Sequence, residues 1–573
     1  MSARDDAPAG RGGASRRRAL AALALGALGL GACAGAPRAG EIGESDVVEV
    51  EDSMLVQTAA GPAVDASPEQ IVSGFLRACV AGFFDDFATA RSFLLTSAAG
   101  SWDPAQTVRV YPGSEEPVVT RALDGSVRVE ADLLGSVGDY GIFSAADAAG
   151  YTATFTLAAD AHGQWRIATL PPGVLVPVSG LSSSFRAAAL YFLTPDRQRL
   201  VPELRWLPRG SLLPDLVEAF VSGPSPWLAG GVVTALPAGA VLEEEVAEPA
   251  AGTAVVRLTG GRARVPEEDL PLLVAQLWES LREIDSVSRV SVYLDGELLP
   301  QSASLPEVTA SPGPLVGMSG GNVVQGTSST RATLVAAAAL GTTGARHPAV
   351  GTDGSVYVLS ASSLLRAGAG QAAASVILSA GDADAAAGGL LPPVVDRHAW
   401  VWTAADGTLT VVNHVGQRPE LSVPWLEGRQ VIAFDLSAES ARCAVRHRSG
   451  QDERVSVAVV RRDDDGVPVG LGDPLDLVGA EGAETSSVSW YDTVSVAVLA
   501  PHRQDEEVRD VRVLQVAGTT SATVGARGAV AMASDRVGKV MSLTDASNRV
   551  WQRSRTTWRV VATDVSDVSY PLV

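Results

Sequence analysis

From about residue 306 to residue 573 this chain shows no helical periodicity, only short β-prone runs cut by Gly, Asp and Ser. Runs at residues 355–360, 399–403, 408–413, 431–435, 443–446, 455–460, 495–499 and 511–515 have strand length, and several are apolar on both faces. Such strands arise where sheet stacks on sheet. The dipeptides Asp353-Gly354, Asp406-Gly407 and Asp465-Gly466 supply hairpin turns. Roughly 270 residues at about 40–45 per four-stranded unit predict an all-β propeller of about six blades, with five or seven allowed. A pair of β-sandwiches is the competing architecture.

The whole chain has 573 residues, enough for about three or four domains. Its 46% apolar content supports packed cores and excludes disorder over most of the length. A net charge of −21 argues against a nucleic-acid partner, because binding phosphates demands clustered cations. Lys539 is the only lysine among 44 basic residues, a bias that reads as genome composition rather than function.

The N-terminus points to a compartment. Arg16, Arg17 and Arg18 precede a small and apolar run over residues 19–32, too short to span a bilayer. The run ends Leu30-Gly31-Ala32-Cys33, which resembles the lipobox of bacterial lipoproteins. Residues 1–32 are therefore expected to be a signal peptide, and Cys33 to carry a thioether-linked diacylglycerol. An ordinary signal peptide with a chance cysteine is the competing reading. Ser15-Arg16-Arg17 leaves both the Sec and the twin-arginine export routes open. No later run reaches roughly 18 apolar residues, so lipid is the expected anchor, on the extracytoplasmic face of the cell membrane. Of the other two cysteines, Cys79 and Cys443, two separately buried thiols are favoured, with a disulfide left open.

Residues 33–66 lack periodicity and read as a flexible tether after the lipidated cysteine. Ser67-Pro68-Glu69-Gln70 is a capping box, and Ile71, Phe75, Cys79 and Phe83 form the apolar face of a helix. A second helix is expected over residues 86–96, then strands at residues 107–111, 126–133, 152–158 and 165–170. This describes an α+β domain over residues 67–178. A second α+β domain spans residues 179–305, with strands at 188–194, 254–258 and 287–294 and helices at 213–222 and 267–284.

Here the residues resemble a known module. Leu190-Tyr191-Phe192-Leu193-Thr194, Leu200-Val201-Pro202, Gly223-Pro224-Ser225 and Ala235-Leu236-Pro237-Ala238-Gly239 are similar to the GerMN domain of spore-germination and envelope proteins. The run Val290-Ser291-Val292-Tyr293-Leu294-Asp295-Gly296 completes the pattern. A lipobox, an α+β module, a GerMN-like module and a β-propeller over residues 306–573 together resemble the actinobacterial LpqB lipoproteins. One departure is Ser437-Ala438-Glu439-Ser440, where the family commonly shows a Ser-Pro-Asp-Gly turn. The resemblance implies a palmitate-bearing, non-enzymatic lipoprotein. It would bind the extracytoplasmic domain of the sensor histidine kinase of the MtrA–MtrB two-component system, modulating its signalling and so envelope homeostasis and division.

A search for chemistry finds little. The six histidines, His162, His347, His398, His414, His447 and His502, form no metal-ligand spacing, and Cys443 with His447 makes half a site. His398 beside Trp400 and Trp402 reads as a blade strand. Gly317-Met318-Ser319-Gly320-Gly321 has nucleophile-elbow spacing, but no helix pattern follows and a flexible loop is favoured. Asp463-Asp464-Asp465-Gly466 reads as a solvated hairpin rather than a Ca²⁺ loop, and Gly230-Gly231 is no phosphate loop. No catalytic residue, metal or cofactor is therefore assigned. The alternative function is binding or processing of peptidoglycan or another cell-wall glycan. Its sugar-stacking candidates are Trp425, Trp490 and Trp558, each also readable as a blade-core aromatic.

Overall fold

A computed structural model describes residues 59–146, 150–301, 306, 313–368, 373–380, 389–480, 487–502, 505, 507–538, 540–554 and 557–572. Cys33, the expected signal peptide and most of the expected tether lie outside the described residues. The last part of the expected tether, residues 59–66, packs on the first module instead of hanging free. Asp65 exchanges hydrogen bonds with the Gln164 side chain at 2.7 and 3.0 Å, while Ala59 and Ala66 lie against the core.

The helix Pro68–Asp85 starts at the capping box, with Ser67 and Gln70 satisfying each other's backbone N–H groups. Ile71, Phe75 and Cys79 are buried on its inner face. The second helix is much shorter than its sequence pattern predicts. Asp86 and Phe87 take left-handed backbone conformations, and the Phe87 ring folds back onto Gly82, where a Cβ would meet it at 2.1 Å. Only Ala88–Arg91 and Thr96–Ser101 remain helical, and Leu94 between them bridges to Ile167. Two four-stranded sheets cover the helices. One contains Val108–Tyr111 paired in parallel with Val174–Pro177, and the other runs Val118–Arg121, Val127–Asp132, Gly150–Ala159, Trp165–Thr169.

In the second module the hairpin Phe185–Leu193 and Leu200–Pro208 leads to the helix Leu212–Val221. Thr253–Thr259 and Arg289–Leu294 then pair in parallel through the crossover helix Leu270–Leu281. That helix is shorter at both ends than the expected 267–284, because Asp269 bonds back to Pro266 and Ile284 back to Leu281 in separate turns.

The C-terminal region contains six sheets among its described residues, five of at least four strands and one of three. The last strand, Ser566–Ser569, pairs antiparallel with Val316–Ser319, so the chain's end completes the first sheet of the region. It touches the first strands of the second and sixth sheets, Ala345–Val350 and Ala529–Ser534. Asp435 stitches neighbouring sheets together. It accepts from Trp490 N at 2.9 Å and from Arg536 at 2.8 Å, and Arg536 also donates to the Tyr570 carbonyl at 2.6 Å. Among the described residues one α-helical turn, at Ala337–Leu340, and one 3₁₀ turn, at Pro424–Leu426, interrupt the β region. Asn322 Oδ1 caps the first by accepting from Ala337 N at 2.9 Å, and Gly341 ends it at a φ of +64°.

Cys79 and Cys443 are both free and fully buried, in separate apolar cores. Burial pushes both thiols well above their ordinary range, which keeps them protonated and unreactive.

Candidate functional site

The described modules meet through buried polar contacts. Arg442, fully buried, pairs with Glu439 at 2.6 Å, donates to the carbonyls of Pro202 at 3.2 Å and Thr493 at 2.8 Å, and lies over the Trp490 ring. At the exposed rim of the junction, Arg397 pairs with Asp196 of the GerMN-like hairpin. Trp206 Nε1 donates to the Ala517 carbonyl at 2.9 Å. Gly231, of the glycine pair that is no phosphate loop, lies so close to the strand Asp452–Arg462 that a Cβ would meet Val459 Cγ2 at 2.3 Å. One apolar core runs from Leu190 and Trp227 through to Val457, Val459 and Val498.

The turn that departs from the family pattern sits in this junction. Ser440 takes the left-handed conformation at φ +59° that glycine would otherwise supply, and Glu439 holds Arg442. Ser440 Oγ accepts from Arg397 N at 3.2 Å, while its carbonyl accepts from Arg462 at 3.3 Å.

Among the described residues a serine and a histidine meet in one hydrogen bond. His447 Nε2 lies 2.8 Å from Ser456 Oγ, and Ser456 donates to Asp476 Oδ1 at 2.5 Å. Arg454 joins Asp476 to Asp452, and Arg429 joins Asp452 to His447 Nδ1 at 3.5 Å, so the hydrogen bonds close a ring. With Arg429 donating to Nδ1, Nε2 carries the proton and gives it to Ser456. A general base must do the reverse, and Ser456 and His447 are both buried. Burial, reinforced by Arg429, lowers the His447 pKa to about 4, which keeps the ring neutral. The arrangement is structural.

The other candidates resolve similarly. His398 is half-buried beside Asp396, which accepts from Trp402 Nε1 at 3.0 Å and from Arg462 at 2.6 Å. Gly317 to Ser319 lie in a strand, and Gly320-Gly321 form a tight hairpin to Asn322–Gln325 rather than a flexible loop. Both glycines have positive φ, the geometry of a two-residue hairpin. Asp463 Oδ1 accepts from the backbone of Asp465 and Val467, which makes that acidic run a hairpin turn. No group of three His, Cys, Asp or Glu side chains among the described residues could hold a metal. No described helix is long and apolar enough to cross a membrane.

Three family models match in chain order: the LpqB lipoprotein N-terminal domain over residues 61–182, a sporulation and spore-germination domain over 189–300, and the LpqB beta-propeller domain over 321–573. Lipoprotein LpqB of Streptomyces coelicolor is 26% identical across 89% of this chain and 90% of its own. The chain belongs to the LpqB lipoprotein family. Lipoprotein LpqB of Bifidobacterium longum is 23% identical over 83% of each chain. That of Cutibacterium acnes is 30% identical over 51% of this chain and 48% of its own, so the similarity spans about half of that relative.

Within this LpqB-family chain the three sugar-stacking candidates separate. Trp490 is fully buried, and its Nε1 donates to the Asp435 carbonyl at 3.2 Å. Trp425 is partly buried and donates to the Gly472 carbonyl at 2.9 Å. Trp558 is partly buried and lines a cleft between the fifth and sixth sheets. Sequence reasoning missed the cleft's other residues and the Asp396–Trp402 and Asp545–Trp551 pairs, in which an aspartate accepts from the indole six residues later at 3.0 Å. That Asp-x₅-Trp spacing was the available signal.

Proposed function

We propose that this protein is a lipid-anchored lipoprotein of the extracytoplasmic face that binds the outer domain of a sensor histidine kinase, MtrB-like in kind, and modulates its signalling without chemistry of its own. The single observation that carries the reading is the fusion of the modules through the Arg442–Pro202 contact and a continuous apolar core. A body joined in this way suits transmitting or presenting a contact rather than turning over a substrate. Diacylation of Cys33 would confine it to the membrane plane, where even a weak interface with a membrane partner is well occupied. The contact is assigned to residues 67–305, the part nearest the tether, where Val118 and Leu123 expose apolar side chains.

The test titrates the purified chain from residue 59 onward against the kinase's extracytoplasmic domain by calorimetry. Saturable binding that Leu123→Asp weakens and Val415→Asp, on the propeller, leaves alone is the expected result. Loss with Val415→Asp alone moves the contact to the propeller. No binding at high micromolar concentration removes the partner.

A further inference from the structure

Between the fifth and sixth sheets of the C-terminal region lies a cleft of about 290 Å³, near the lower end of the size range of small-molecule sites. Tyr491 and Trp558, both half-buried, and Met541 give it aromatic and aliphatic walls. Ser521, Thr523 and Arg553 give it hydrogen-bonding groups. Arg553 reaches from the sixth sheet to the fifth, donating to Thr523 Oγ1 at 3.3 Å, which leaves the threonine hydroxyl proton for another acceptor. In a chain of net charge −21, none of the described residues that line this cleft carries a carboxylate. Asp492 lies behind Gly538 and accepts from Val494 N within its own turn. Gly538 has a φ of +79°, and a Cβ there would approach Asp492 Cβ to 3.0 Å.

The lining selects for a ligand with an apolar face, several acceptors and a negative charge. Aromatic walls pack against the C–H face of a ring, hydroxyls and a guanidinium donate to ring substituents, and Arg favours a planar carboxylate. The volume holds one six-membered ring with its substituents. We infer that this inter-sheet cleft binds a carboxylate-bearing sugar, such as a muramic-acid residue of a glycan. The inference is independent of the kinase reading, and neither falls with the other.

N-acetylmuramic acid is the probe, titrated into the full-length chain in detergent and followed by tryptophan fluorescence and calorimetry. N-acetylglucosamine, the same ring without the carboxylate, should bind at least about tenfold more weakly. Trp558→Leu and Arg553→Gln should each weaken the acid about tenfold, while Arg553→Lys recovers part of the loss. Should either variant fail to melt cooperatively, the exposed Ser521→Ala carries the test and should weaken binding measurably. Three results overturn the assignment: no saturation by N-acetylmuramic acid, equal binding of N-acetylglucosamine, or tighter binding of a C-terminal dipeptide such as D-Ala-D-Ala.

Discussion

Arg442, on a strand of the fourth C-terminal sheet, donates to the carbonyl of Pro202 in the GerMN-like hairpin at 3.2 Å, with its charge met by Glu439 at 2.6 Å. Neither side chain reaches water. A buried ion pair adds little against an apolar substitute, but removing one partner strands the other in a low-dielectric site. Arg442→Met should therefore cost about 3–5 kcal/mol, read as a lower denaturant midpoint. The double variant Arg442→Met/Glu439→Gln should recover a large part of that loss. A single variant within about 1 kcal/mol of the parent would show that the pair is not desolvated as described.

The same junction bears on autonomy of the β region. Residues 306–573 should fold alone, because the closing strand Ser566–Ser569 completes the first sheet without help from outside. The isolated fragment should melt below the whole chain, since Arg442 loses the Pro202 carbonyl and Val457 and Val459 lose part of their cover. Circular dichroism should show a β-dominated, cooperative transition; a strongly helical spectrum would refute the architecture.

Much of this was legible in the sequence. The Ser67 capping box, the strand runs and the crossover helix all follow from local spacing, which needs only nearest-neighbour chemistry. Failures occur where a distant contact decides. Asp86 and Phe87 turn left-handed because the Phe87 ring docks on Gly82, and no helical periodicity encodes that reversal. The His447 ring joins residues from 429 to 476 that only strand pairing brings together. Arg553 and Trp558 meet Tyr491 and Thr523 only because one sheet lies against the next. The Asp396–Trp402 pair, by contrast, had a readable spacing.

Acid should weaken the fold before carboxylates titrate. Burial pushes His398 down to about 4, helped by Arg462 and Arg397 and opposed by Asp396 and Asp196. His447 is held at about 4 for the same first reason, with Arg429 and Arg454 acting against protonation and Asp476 and Asp452 for it. In the unfolded chain a histidine protonates near pH 6.5. Between about 6.5 and 4 the unfolded state therefore takes up protons that the folded state refuses, so stability falls as pH drops through that window. The melting temperature should decline over that range and His398→Gln should flatten the decline. A melting temperature that is level from pH 7 to 4.5 would contradict both environments.

The anchor prediction rests on chemistry at one sulfur. Cys33 follows Leu30-Gly31-Ala32 at the end of a short apolar run, where a thioether-linked diacylglycerol would replace the signal peptide as the membrane attachment. Since no described helix can cross a bilayer, attachment through the described residues would need another route. Cys33→Ala should move the protein from the detergent phase to the aqueous phase, or leave it unprocessed with its first 32 residues attached. Mass spectrometry of the N-terminal peptide separates the two outcomes, because the acylated form carries the added lipid mass and the unprocessed form keeps the leader. A single acyl chain holds a protein only weakly, whereas the two of a diacylglycerol give lasting attachment, so partial deacylation should release the chain on washing. If Cys33→Ala stays fully processed and membrane-bound, the lipid is not the anchor, and the effective-concentration argument for a membrane partner loses its footing.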